Sequence, residues 1–269
     1  MLESEPFVFW PMHEAVGDIR AEGMSVEDKL RALEEFYLLS FSEPEPVVAV
    51  PTSGSYARRV RELARHGSRS PEEVERIALL AEHLRAAFKI VDDLIDEDTT
   101  RDNQPAFWVS HGREATIRQA AWHVHQARTI AQRLGPDAAR IFELRLQEVI
   151  DGARLEVELE MGWEPPDLQA AWHRVVKKEA SFRQMLAELL RCPPWICEAA
   201  RQDGVAAQIL DDGRSAIWGK EGRPPGGSDE RLGRLTYMRA FGVSPEEAIR
   251  RGEALKARAR EILGRGGWK

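Results

Sequence analysis

Cysteine is nearly absent. Cys192 and Cys197 are the only two, flanking "PPWI" in a C-x4-C spacing. One pair builds neither a disulfide scaffold nor a four-thiolate metal site, so a reduced pair in a cytoplasmic protein is expected. The seven histidines form no metal box: His123 and His125 stand two apart, which on a helix turns them to different faces. A basic surplus is missing too. The net charge of −7 leaves nothing to neutralise phosphates along a strand, which excludes nucleic acid as the main partner. No apolar run reaches the roughly 18–20 residues of a membrane span, so none is expected. The start "MLESEPFVFWPMHE" lacks a basic stretch followed by an apolar one, and no secretory signal is read there. Strand signal is confined to "PVVAV" at 46–50, and one run makes no sheet. No repeat, linker or low-complexity segment divides the chain, so residues 1–269 are expected to form a single domain.

What is present is helical periodicity. "SPEEVERIALLAEHLRAAFKIVDDLID" opens on Ser70, Pro71 and two glutamates, then repeats apolar residues at 74, 77, 80, 84, 88 and 91. "SVEDKLRALEEFYLLSF" opens on Ser25 as a candidate N-cap. Further helices are expected over 112–134, 137–161, 167–191, 196–218, 229–241 and 244–263. Breaks fall at the Gly- and Pro-rich "LGPD", "GWEPPD", "RCPPW" and "GKEGRPPGGSD". The fold class is therefore all-α, a helical bundle of about nine helices.

The unusual feature is acidic. Five carboxylates crowd Asp92 to Asp98 at the end of an apolar helix, where the helix dipole already disfavours negative charge. Asp92 and Asp96 are four apart and share a face, with Asp93 alongside. "AAQILDDGRSAIWGK" puts Asp211, Asp212 and Ser215 at the end of a second apolar helix. Oxygen donors alone, with room for water and substrate phosphates, suit Mg²⁺. Two such clusters on separate helices would cradle a diphosphate through bridging cations.

In this order the motifs resemble those of trans-isoprenyl diphosphate synthases, in the isoprenoid synthase superfamily. "VDDLIDEDTTRDNQPAFWVSHGREA" resembles that family's first aspartate-rich motif, and "KKEASFRQM" its Lys-Thr-x-x-Leu helix. "QILDDGRSAIWGKEGRPPGGSDERLGRLT" resembles its second motif with the Gly-Lys-Pro and Gly-Ser-Asp loop. The resemblance implies a helical bundle of the class I isoprenoid synthase type, a homodimer, three Mg²⁺ ions and an allylic prenyl diphosphate substrate. On the same ground Asp92, Asp93, Asp96, Asp211, Asp212 and Ser215 would serve the metals. Arg101, Lys178, Lys220 and Arg223 would face the diphosphate, and Phe88, one turn before Asp92, would limit the hydrocarbon tail.

Most departures from that family touch one subsite. Chain-elongating members hold isopentenyl diphosphate with a Gly-Lys-x-x-Arg-Pro motif, an upstream His and the second Arg of a basic pair. Here Ser55 replaces the Lys, Arg85 stands at the His position with His83 two residues away, and Asp102 reverses the second Arg. Ala153 replaces a Gln on a later helix. Ser215 gives the second motif a terpene-cyclase look, with Glu221 as the nearest candidate for its missing glutamate. Three readings follow: a class I terpene synthase (a lyase) ionising one C15 or C20 allylic diphosphate, a chain-elongating prenyltransferase, and a non-catalytic subunit of a heteromeric synthase. The first is the expectation. Lys89 is expected to pair with Asp93, and most tryptophans to pack the core.

Overall fold

The structure, a computed structural model, describes residues 23–48, 54–161, 165–219 and 225–264. Within them the chain is helical: α1 Val26–Leu39, α2 Ser55–Leu63, α3 Pro71–Ile95, α4 Phe107–Arg133, α5 Pro136–Glu158, α6 Leu168–Val175, α7 Lys177–Leu189, α8 Pro194–Trp218, α9 Gly227–Arg231, α10 Tyr237–Phe241 and α11 Pro245–Gly264. Among the described residues the only strand pairing is a two-residue hairpin, β1 Thr100–Arg101 against β2 Gln104–Pro105. The fold class is as expected, all-α.

The predicted helix starts are built as their residues dictate. The Ser70 hydroxyl accepts from Glu73 N while Glu73 returns to Ser70 N, a reciprocal cap that closes two orphan donors of α3. Ser25 accepts from Asp28 N at the head of α1. Apolar faces of α1 to α5 and α7 then close on one core containing Phe36, Leu84, Leu94, Phe142, Leu146 and Phe182. A second core gathers Trp172, Tyr237, Ile209 and Ala248 from α6, α8, α10 and α11.

The helix count is corrected. Eleven helices stand among the described residues, not nine: 55–63 is helical, 167–191 divides at Val176, and 229–241 divides into α9 and α10. The division at Val176 follows from packing. Gly152 of α5 lies on it so closely that a Cβ would come within 2.9 Å of Val175 O and 3.0 Å of Lys178 N. "PVVAV" forms no strand in its described part, residues 46–48; the rest lies outside the described residues. Val47 N and Val48 N instead donate to the buried Gln119 side chain.

Candidate active site

The acidic end of α3 is shaped by its own backbone. Asp96 caps the helix, Glu97 turns left-handed at φ 54°, and Asp98 N donates back to Asp93 O at 2.9 Å. A left-handed non-glycine residue costs about 1–2 kcal/mol, and the turn aims the carboxylates apart. Asp93, 4% exposed, is gripped by both arms of the Arg101 guanidinium. Asp92, 45% exposed, is left facing a cavity of about 370 Å³ together with Asp96.

Two close helix crossings bring α7 and α8 to the same cavity. Gly152 admits α5 to the head of α7, and Gly204 of α8 lies where a Cβ would meet Ala180 Cα at 2.7 Å. Lys178 and Glu179 therefore project into the cavity, opposite Asp211 and Ser215 from the end of α8. Ser215 O also accepts Gly226 N, which docks the segment carrying Asp229 onto the same rim. The apolar wall includes Phe36, Phe88, Val91, Ile150, Ala153 and Phe182. Phe88 and Phe182 meet edge to face at 5.6 Å.

The electrostatics of the rim are those of crowded carboxylates. Burial pushes Asp96 up to about 7, Arg234 and Lys178 pulling against it and Asp92 and Glu156 adding to it. Burial likewise raises Asp229 to about 6, with Glu156 and Asp211 pushing the same way. For Lys178, burial works against the ammonium, but Glu156, Asp92 and Asp96 outweigh it and hold its pKa above the ordinary lysine value. Its Nζ donates to Glu156 at 2.5 Å.

The sequence-predicted residues thus divide. Asp92, Asp96, Asp211, Ser215, Lys178 and Phe88 line one cavity. Asp93 and Asp212 do not. Asp93 is taken by Arg101, and Asp212 accepts Tyr237 N at 2.6 Å and Gln208 Nε2 at 2.7 Å, tying α8 to α10. Burial, with Asp229 beside it, raises Asp212 to about 7 against those two donors. Arg101 is turned onto Asp93, with Asp92 at 3.7 Å. Lys89 pairs with Asp102 at 3.5 Å rather than with Asp93. Lys220, Glu221 and Arg223 lie outside the described residues. None of the described tryptophans lines the cavity: Trp172 is core, Trp195 and Trp218 are exposed.

Sequence reading missed Glu156, Glu179, Asp229, Arg183 and Arg234. Asp229 sits in the Gly-Ser-Asp loop and was within reach of the motif. Arg234 carried no signal in sequence. It is 3% exposed, donates to Asp96 Oδ1 at 2.6 Å and lies 3.1 Å from Glu156 and 2.8 Å from Glu160. Its Nε and Nη1 have no hydrogen-bond partner among the described residues, a costly state that an anion or water at the rim would relieve.

A divalent cation fits this donor set. Asp92, Asp96, Asp211, Ser215 and Asp229 offer oxygen donors only, and burial, with neighbouring carboxylates adding to it, raises Asp96 and Asp229. As the side chains stand, no three described carboxylates or imidazoles converge on one ion-sized point. That spacing suits a hard cation whose shell is completed by substrate oxygens and water.

At the other end of the cavity the charge changes sign. Arg85, two turns of α3 before Asp92, lines it beside Tyr56, and its guanidinium stands 5.8 Å from the Tyr56 ring centroid. Arg59 approaches the same ring at 5.3 Å. Arg183 binds Glu179 and Asp203, and Arg59 also reaches Asp203 at 3.1 Å. Among the described residues Arg85 has no hydrogen-bond or ion-pair partner. His83, the other candidate at this position, does not line the cavity and pairs with His123, Nδ1 to Nδ1 at 3.0 Å.

An all-α bundle with two acidic helix ends facing across an apolar cavity defines an enzyme of the isoprenoid synthase class. The polyprenyl synthetase family model matches residues 57–261, most of the chain, and the protein belongs to that family. Among solved structures the chain is similar to a geranyltranstransferase from Thermotoga maritima, at 17% identity and TM-score 0.64, covering 90% of each chain. It is also similar to octaprenyl pyrophosphate synthase from Helicobacter pylori, at 18% identity and TM-score 0.61, covering 90% of this chain and 87% of that one. A polyprenyl synthase from Caulobacter crescentus, solved with calcium and isoprenyl diphosphate, matches at 18% identity and TM-score 0.59, covering 92% and 87%. These likenesses concern the fold. No curated protein matches the sequence.

The family match overturns the expectation of a terpene synthase. The physical reason lies at Ser55 and Asp102. Along the sequence they read as lost and reversed charge at one subsite. In the fold Asp102 is offset by Lys89, and Arg85 brings positive charge to the cavity wall from α3.

Proposed function

We propose that this protein is a chain-elongating prenyltransferase, joining an allylic prenyl diphosphate to isopentenyl diphosphate. The observation that carries the reading is the pairing of zones in one cavity. An acidic rim suits a cation-bridged allylic diphosphate, and Arg85, which has no hydrogen-bond or ion-pair partner among the described residues, suits a second dianion directly. Family membership supports the same reaction.

In this reading Asp92, Asp96, Asp211 and Ser215 hold Mg²⁺, three ions in all as the resemblance implies, with Asp229 beside them. The ions supply counter-charge to the departing diphosphate. Lys178 binds and orients that diphosphate, and the Arg101–Asp93 fork fixes the end of α3 so that Asp92 and Asp96 keep their aim. Lys220 and Arg223 are carried as further diphosphate contacts. Val91, Ile150, Phe88 and Phe182 exclude water from the carbocation, and Phe88 bounds the growing tail. The allylic C–O bond breaks with its electrons on diphosphate, the isopentenyl double bond attacks, and a proton is lost. The working form is taken as a homodimer of single-domain chains. Among the described residues no helix is long and apolar enough to cross a membrane.

The test is incubation with Mg²⁺, C5, C10 or C15 allylic diphosphates and labelled isopentenyl diphosphate. Label in a longer prenyl diphosphate is expected, and diphosphate release without incorporation would overturn the reading. Arg85→Ala should raise KM for isopentenyl diphosphate by about tenfold or more, one charge-assisted contact, and leave the allylic KM near wild type.

A further inference from the structure

Glu179 lines the substrate cavity, and the reaction described above gives it no task. It follows Lys178 on α7, so it stands one residue from the acidic rim and reaches Tyr56 and Arg183 at the arginine end. Where the resemblance has Lys-Thr the chain reads Lys178-Glu179, so the carboxylate is this protein's own feature. Its two oxygens are held differently. Tyr56 Oη donates to Oε1 at 3.4 Å, and Arg183 Nε donates to the same oxygen at 2.7 Å. Among the described residues Oε2 accepts no hydrogen bond, and 23% of the side-chain surface stays open.

Burial works against the Glu179 carboxylate, but Arg183, Arg85 and Arg59 outweigh it and hold its pKa below the ordinary glutamate value. Burial, with Glu179 adding to it, raises the Tyr56 phenol, which keeps its proton and donates. The other carboxylates lining the cavity are engaged at the rim. Lys178 and Arg234 meet Glu156, while Asp92, Asp96, Asp211 and Asp229 belong to the donor set for the cations. Among the described lining residues Glu179 is thus the one carboxylate clear of those donors, on the wall between the acidic rim and Arg85.

We propose that, in the elongating reaction on which this inference rests, Glu179 is the catalytic base, its Oε2 taking the proton that the elongated cation loses. The isopentenyl π pair forms the new C–C bond to the allylic carbon and leaves a cation at the tertiary carbon. The electrons of the neighbouring C–H bond then form the new double bond, and the proton passes to the carboxylate. Glu179 gives that proton to the released diphosphate and is restored. A C–H beside a carbocation is a far stronger acid than a carboxylic acid, so a carboxylate kept ionised by arginines suffices as acceptor. A base must come within hydrogen-bond reach of the proton it takes, and an open oxygen on the wall between the two substrates meets that need.

Condensation of a C10 allylic diphosphate with isopentenyl diphosphate, unlabelled or dideuterated at the carbon that loses the proton, compares wild type with Glu179→Gln. The amide keeps the shape and an acceptor for Arg183 but is a far poorer base. Turnover is expected to fall about 10²–10⁴-fold, with both KM values near wild type. The deuterium isotope effect should exceed that of wild type, because proton loss becomes the slow step. Glu179→Asp, which keeps the charge on a shorter arm, should recover part of the turnover. Undiminished turnover in Glu179→Gln overturns the assignment. So does lower turnover with the wild-type isotope effect, the outcome if Glu179 serves only to hold Arg183. Should circular dichroism show Glu179→Gln poorly folded, Glu179→Asp carries the same isotope comparison. If wild type incorporates no isopentenyl unit, the elongating reaction fails and this role falls with it. Incorporation by wild type with no change of isotope effect in the variants removes the role of Glu179 alone.

Discussion

Arg234 donates to the Asp96 carboxylate across 2.6 Å and thereby ties the segment after α9 to the acidic end of α3. The same guanidinium faces Glu156 and Glu160, and Lys29 meets Glu160 and Glu97 at 2.7 and 3.0 Å. Side-chain cations thus hold together carboxylates that would otherwise repel. Removing Arg234 leaves several buried negative charges uncompensated. Arg234→Gln should lower stability by about 3–5 kcal/mol, read as the midpoint of denaturant unfolding. A loss under about 1 kcal/mol would show that the cluster is compensated by other means.

The two cavity-facing carboxylates of α3 should differ from the fork-held Asp93. Asp92→Ala removes a half-exposed charge, so the fold should survive while turnover falls about 10²–10³-fold, as for loss of one group stabilising developing charge. Asp93→Ala should instead free Arg101 and destabilise the turn at Glu97. Thermal melts and initial rates on the two variants separate these effects. Equal melting temperatures with equal rates would mean that the division between Asp92 and Asp93 has no consequence.

Tail length should respond to the aromatic pair. Phe88→Ala opens the wall where Phe88 meets Phe182, and product chains should lengthen relative to wild type. Phe88 is only partly buried, so the cost should be at most about 3 kcal/mol, the lower end for Phe→Ala. Chromatography of the dephosphorylated products reads the change, once circular dichroism shows the variant folded. An unaltered chain-length distribution would place the length limit elsewhere.

Acid sensitivity should come from the imidazole pair. Burial, aided by His83, depresses His123 to about 3, and burial alone depresses His83. A depressed folded-state pKa means that the unfolded chain binds more protons between that value and about 6.5. Stability contributed by these groups is therefore complete above about pH 6.5 and lost as pH falls towards 3. Each proton is worth about 1.4 kcal/mol per pH unit, so the fall from pH 6.5 to 5 is about 2 kcal/mol for His123. His123→Gln should flatten that limb of stability against pH. An equally steep limb in the variant would assign the acid sensitivity to other groups.

The helices, their caps and the acidic motifs were legible in the chain because each depends on neighbours within about four residues. Ser70 with Glu73, and the 3.6-residue apolar period of α3, need no other part of the molecule. The family was legible for the same reason: its motifs are local strings in a fixed order. Three-dimensional packing decided what those strings do. Two adjacent aspartates cannot both face one cavity from a helix end, so Asp92 opens to it while Asp93 turns to Arg101, and Asp211 parts from Asp212 likewise. Only the fold brought Arg234 and Glu156 to Asp96 from far along the chain. Only the fold set Lys89 against Asp102 and put Arg85 beside Tyr56 on the cavity wall. The sign of that subsite is a sum over side chains distant in sequence, and Coulomb interactions follow distance in space.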